Sequence, residues 1–83
     1  MRSAISPSAR RDLRRLSAYV TQRVAAAIDS LGVDPRPPGC LLLRDRHPPT
    51  WRIRVGDWRV LYQINDDEDL VLVTGVRHRS KAY

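Results

Sequence analysis

Apolar side chains recur at Ala9, Leu13, Leu16, Val20, Val24, Ile28 and Leu31, steps of three or four residues that draw one stripe along a helix. Arg10, Arg11, Arg14, Arg15 and Arg23 fall mostly off that stripe and read as a solvated face. Ser6 before Pro7 is a helix start, because a hydroxyl can cap the first free N–H groups and proline lacks one that would go unused there. Ser17 repeats the capping signal. The stripe therefore predicts a helical hairpin broken near Leu16 to Ala18 and stopped at Gly32, with one long bent helix as the alternative. The proline-rich segment "VDPRPPGC" cannot continue a helix or enter a central strand. Beyond it the period drops to two in "WRIRV", "WRVLYQI" and "LVLVTGVR", and Leu41 to Leu43 offers a further short strand. The order predicts an α+β domain spanning residues 1–83, with an N-terminal helical hairpin covering one face of a small, mainly antiparallel twisted sheet.

Within the sheet, "RIRVGDWR" has an unusual pattern. Side chains alternate faces along a strand, so Arg52 and Arg54 share one face while Trp51, Ile53 and Val55 share the other. Gly56-Asp57 suits a two-residue type II′ turn, which pairs Val55 with Trp58 and then Arg54 with Arg59. Like charges directly opposite one another destabilise a sheet, so the pairing points to an anion between them. The competing reading is an ordinary surface ion pair with Asp57 or with the acidic "NDDED" turn, worth little to stability. Further on, Arg77 keeps the alternation of Val71 and Val73, and His78 alternates away from it. Trp51 and Trp58 read as core, the "NDDED" carboxylates as a turn tip, and His47 as an exposed loop residue.

The formal net charge is +6, and Lys81 is the only lysine beside fourteen arginines. That balance favours a polyanionic partner, nucleic acid or an acidic protein surface. Cys40 is alone and reads as a small buried residue, and neither Cys nor His recurs at metal-ligand spacing. No apolar run follows the basic start and none approaches about twenty residues. These features lead us to expect a cytoplasmic protein with no membrane segment, no metal and no cofactor.

Taken in order and spacing, "PRPPG", "WRIRVGDWRVLYQIND" and "VRHRSKAY" resemble the RelE family of the RelE/ParE toxin superfamily. The resemblance covers essentially the whole chain. It implies the RelE/ParE-like fold and a type II toxin that acts as a ribosome-dependent mRNA interferase, cutting the codon in the decoding site by metal-free attack of a ribose 2′-hydroxyl. Carried over by position, it assigns Arg52 and Arg54 to the 2′-hydroxyl, Arg59 to the phosphate, Arg77 to the leaving 5′-oxygen and Tyr83 to base stacking. Arg79, Lys81 and His78 become RNA contacts, with His78 also a candidate proton donor. Relatives often carry lysine at the Arg52 and Arg54 positions; arginine stays protonated and accepts a proton poorly. The implied partners are the ribosome with its mRNA and a cognate acidic, RelB-like antitoxin in a hetero-oligomer. Two alternatives keep the fold without this chemistry: a ParE-like inhibitor of DNA gyrase, and a catalytically degenerate antitoxin- or nucleic-acid-binding module.

Overall fold

The computed structural model describes residues 1–81. The Ser6 hydroxyl accepts the Ala9 N–H at 3.1 Å and opens α1 (Pro7–Arg14). Ser17 does the same for the Val20 N–H at 3.2 Å and opens α2 (Ala18–Val33). Two separately capped helices, and not one bent helix, therefore carry the apolar stripe. The strands are β1 (Arg2–Ile5), β2 (Leu41–Leu42), β3 (Trp51–Val55), β4 (Trp58–Asn65) and β5 (Leu70–His78), and a 3₁₀ turn covers Arg79–Lys81. They form one sheet in the order β1-β5-β4-β3-β2, with β1 parallel to β5 and every other pair antiparallel.

The helices bury Ala9, Val24, Ile28 and Leu31 against Val60, Tyr62, Val71, Val73 and Val76 on one sheet face. Leu13, Leu16 and Val20 join from the helices, and Trp51, Ile53, Val55 and Trp58 join from the β3–β4 hairpin. Both tryptophans thus belong to the core, as their alternation predicts. The apolar bodies of these side chains, removed from water together, hold the two layers in place. The fully buried Tyr62 donates its hydroxyl to the Pro35 carbonyl at 2.7 Å, which ties the proline-rich connector to the sheet. Burial pushes the Tyr62 phenol pKa well above its ordinary value, and neighbouring Cys40 adds to the rise. Cys40 itself is half-buried, less covered than its isolation in the sequence suggests.

Gly32 also differs from expectation. It lies inside α2, and the helix ends at Val33 with Asp34 as its cap. A side chain at Gly32 would approach the Met1 carbonyl to 2.9 Å, and the Met1 ammonium donates to the Gly32 carbonyl at 2.7 Å. The glycine makes room for the start of β1; it does not stop the helix.

The register of β5 decides which sheet face carries Arg77. Leu61 pairs with Gly75 while Tyr62 pairs with Val73, leaving Thr74 as one extra residue in β5. The Thr74 hydroxyl spans the irregularity to the Leu61 carbonyl at 3.4 Å. Such a bulge flips the alternation beyond it. Val71 and Val73 face the helices, and after the bulge Val76 and His78 do so, while Arg77 turns to the opposite face. The simple parity that groups Arg77 with Val71 and Val73 is therefore corrected by one inserted residue. Among the described residues, no helix is long and apolar enough to cross a membrane.

The bulge and the Tyr62 anchor can each be tested. Deleting Thr74 removes the unmatched residue and joins Val73 to Gly75 with their β4 partners unchanged, so Val76 stays in the core, Arg77 stays on the open face, and the variant is expected to unfold cooperatively by circular dichroism. Inserting one alanine between Gly75 and Val76 exchanges the faces of Val76 and Arg77 and is expected to abolish cooperative unfolding. Tyr62→Phe is expected to cost about 1 kcal/mol in urea unfolding through the lost hydrogen bond. Because the native state holds the phenol proton more tightly than the unfolded chain does, wild-type stability is fully present below about pH 10 and falls as pH rises above it. Tyr62→Phe should lack that component of the decline.

Candidate nucleic-acid interface

The β3–β4 hairpin turns at Gly56, whose φ of +60° has no counterpart at Asp57, as a type II′ turn requires. Val55 then pairs with Trp58, and Arg54 with Arg59. On the other side of β4, Arg59 pairs with Arg77. Arg54, Arg59 and Arg77 therefore form one rung across three strands, on the sheet face away from the helices. Directly opposed residues on one face have Cβ atoms about 5 Å apart. Three guanidinium groups in such a row repel, unless anions intervene. The next rung runs Arg52, Leu61, Gly75. Gly75 has a steric reason to be there: a Cβ at that position would stand 3.1 Å from Arg77 Nη1, so the missing side chain lets the Arg77 guanidinium fold back over the strand.

The three arginines in the row differ in environment. Arg54 is exposed. Arg59 is half-buried, and its Nη1 is covered without a hydrogen-bond partner, a costly state for a charged donor. Arg77 Nη1 donates to Asp12 Oδ2 in a partly buried ion pair. The surface-pair reading of Arg54 and Arg59 fails on placement. Asp57 lies 3.8 Å from Arg79 Nε and accepts the Arg79 N–H through its carbonyl, while Asp66 pairs with Arg36 at 3.1 Å.

The other candidates are spread more widely. Arg52 shares the arginine face but is only 8 % exposed. Arg79 and Lys81 are exposed on the 3₁₀ turn at the end of the row. His78 sits on the helix side, edge-on to Trp58 with ring centroids 5.1 Å apart, and its Nδ1 receives the Ser80 N–H at 3.2 Å. It does not join the row. Tyr83 lies outside the described residues.

A family model described as the ParE toxin of the type II toxin–antitoxin system parDE matches residues 4–83. The chain belongs to the ParE toxin family. It is thus a type II toxin of the RelE/ParE superfamily, and solved structures agree. The toxin is 30 % identical to a chain of the RelBE2 toxin–antitoxin complex from Mycobacterium tuberculosis, with a TM-score of 0.82, covering 94 % of this chain and 96 % of that one. It also shares its fold with the archaeal RelE–RelB complex from Pyrococcus horikoshii, at 24 % identity, TM-score 0.82 and coverage of 98 % and 97 %. The isolated Escherichia coli RelE toxin follows at 22 % identity, TM-score 0.78 and coverage of 93 % and 82 %. No curated protein sequence matches the toxin.

Chemically, the row offers several N–H donors in planar forks, the geometry that grips phosphate oxygens. Its own side chains offer no proton acceptor. What sequence reasoning missed is Asp12, the lone acid of α1, which reaches the site from the helix layer. Its isolation among arginines in "SARRDLRR" is a signal, but not one that names its partner.

The two half-buried arginines should respond in opposite ways. Arg59→Ala removes a covered, unpartnered charge and is expected to leave the melting temperature unchanged or higher. Arg77→Ala strands Asp12 and is expected to lower stability by about 1 kcal/mol, the pair being partly exposed. Urea unfolding of both variants checks the contrast.

Proposed function

We propose that the toxin is a ribosome-dependent endoribonuclease that cleaves mRNA in the decoding site. The observation that carries this reading is the Arg54–Arg59–Arg77 rung on the open sheet face, with a covered Arg59 donor lacking a partner. A scissile phosphate has the charge and the acceptor oxygens to fill it. In the reaction the ribose 2′-hydroxyl loses its proton to solvent as its oxygen attacks the adjacent phosphorus. The bond from phosphorus to the 5′-oxygen breaks, that oxygen taking a proton from solvent to leave as a free 5′-hydroxyl beside a cyclic phosphate. Arg54, at the exposed end of the row, lowers the pKa of the 2′-hydroxyl by its charge. Arg59, in the middle, neutralises the phosphoryl oxygens as charge develops on them. Arg77, at the far end, keeps its proton and stabilises the charge on the departing 5′-oxygen with a hydrogen bond. Arg52 supports the row from the neighbouring rung, Arg79 and Lys81 extend the phosphate-binding surface, and Tyr83 stacks on a base. His78 is better suited to ordering the chain end than to donating a proton at the row.

Because arginine does not take up the 2′-proton, alignment of the substrate must supply much of the acceleration. This is the physical reason for a dependence on the ribosome, which holds the codon in a defined shape. The partner in the resting state is an acidic antitoxin. Two of the similar structures are toxin–antitoxin complexes, and a chain of net charge +6 suits an acidic segment.

A second reading, binding and inhibition of DNA gyrase, is favoured by the family model, which is that of the ParE toxin. Primer extension on an mRNA under translation separates the two. The expected result is cuts within codons that require ribosomes and disappear in Arg59→Ala. Intact mRNA together with loss of gyrase supercoiling would establish the second reading.

A further inference from the structure

Among the described residues, Asp12 is the one carboxylate bonded to the arginine row, and its position is set with some care. β1 ends its pairing with β5 at Ile5 and Val73, so the edge of β5 beyond that point has no strand beside it. α1 takes that place. The Ser6 N–H donates to the Val73 carbonyl at 2.9 Å, and the Ser6 hydroxyl reaches the carbonyl of Thr74 at 3.5 Å, so the cap of α1 is fastened at the bulge. Less than two turns further on, Asp12 Oδ2 accepts the Val76 N–H at 3.0 Å and also receives Arg77 Nη1. One oxygen thus satisfies an edge N–H and fixes a guanidinium. Asp12 is the more covered partner, its side chain 19 % exposed against 37 % for Arg77. With Gly75 open beneath it, the Arg77 guanidinium is held across the sheet edge while part of it stays accessible.

We propose that Asp12 is a positioning residue for Arg77. It turns the guanidinium so that its remaining N–H groups face the leaving-oxygen end of the row, and it lowers the repulsion from Arg59 while no substrate is bound. The catalytic consequence rests on the ribonuclease reading; the positioning itself does not. Carboxylate-held arginine loses less rotational freedom when it engages a phosphate, and a misplaced group costs rate steeply.

Asp12→Asn is the informative variant, because the amide oxygen can still accept the Val76 N–H while the charge on Arg77's partner is gone. The variant is expected to fold, to need the same concentration of ribosome complexes for half-maximal rate, and to cleave in single turnover roughly ten- to a hundredfold more slowly. In an Arg77→Ala background, Asp12→Asn should add no further loss of rate. Independently of cleavage, the Arg77 Nε–H resonance, assigned by its absence in Arg77→Ala, should stand apart from those of exposed arginines and move toward them in Asp12→Asn. An unchanged resonance, or wild-type or faster cleavage by a folded Asp12→Asn, overturns the proposal. If the wild type cleaves no mRNA, the ribonuclease reading fails, and the resonance still decides whether Asp12 positions Arg77.

Discussion

Thr74 adds to β5 one residue that β4 does not match, and the two faces of the toxin depend on that mismatch. Before the bulge, odd-numbered valines of β5 fill the core; after it, even-numbered residues take over. Arg77 is released to the open face only because the phase changes between the two segments. There it lines up with Arg59 and Arg54, on neighbouring strands whose own phase is set by the tight turn at Gly56. A hairpin and a bulge, each a local departure from regular strand geometry, together assemble the row. Bulges commonly re-aim side chains beside functional sites, and here the re-aimed residue is a cation.

The row is locally unfavourable, which is why it points to function. Sheet stability favours paired charges of opposite sign or apolar neighbours, and three arginines abreast satisfy neither preference. The fold tolerates them because the hydrophobic layer on the other face carries the stability, and because Asp12 neutralises one of the three. Arg59, in the centre, keeps a covered donor without a partner. A rule broken at one surface, while the core and the caps obey theirs, is the pattern expected where a ligand completes the structure.

Helix and sheet are joined by contacts that also serve the site. Ser6 caps α1 and fastens it at the bulge, so the same residue starts the helix and places Asp12. Tyr62 anchors the connector that returns the chain from α2 to the sheet edge. Placement of the arginine face is therefore a property of the whole small domain, with the helices setting part of its charge balance from behind the sheet.

The amino-acid sequence by itself determined the elements and much of the row. Both serine caps, the apolar stripe, the proline-rich connector, the type II′ turn and the Arg54–Arg59 pairing all follow from contacts between residues a few positions apart, where local geometry leaves few choices. Tertiary structure decided the rest. Period-two alternation cannot show an inserted residue, so the face of Arg77 depended on how β5 settled against β4, a matter of burying Val73 and Val76 together. Gly32 looked like a stop signal because the neighbour that demands a glycine, Met1, is far away in sequence. The partner of Arg77 was hidden for the same reason: Asp12 and Arg77 meet across 65 positions, through helix–sheet packing that no local pattern records.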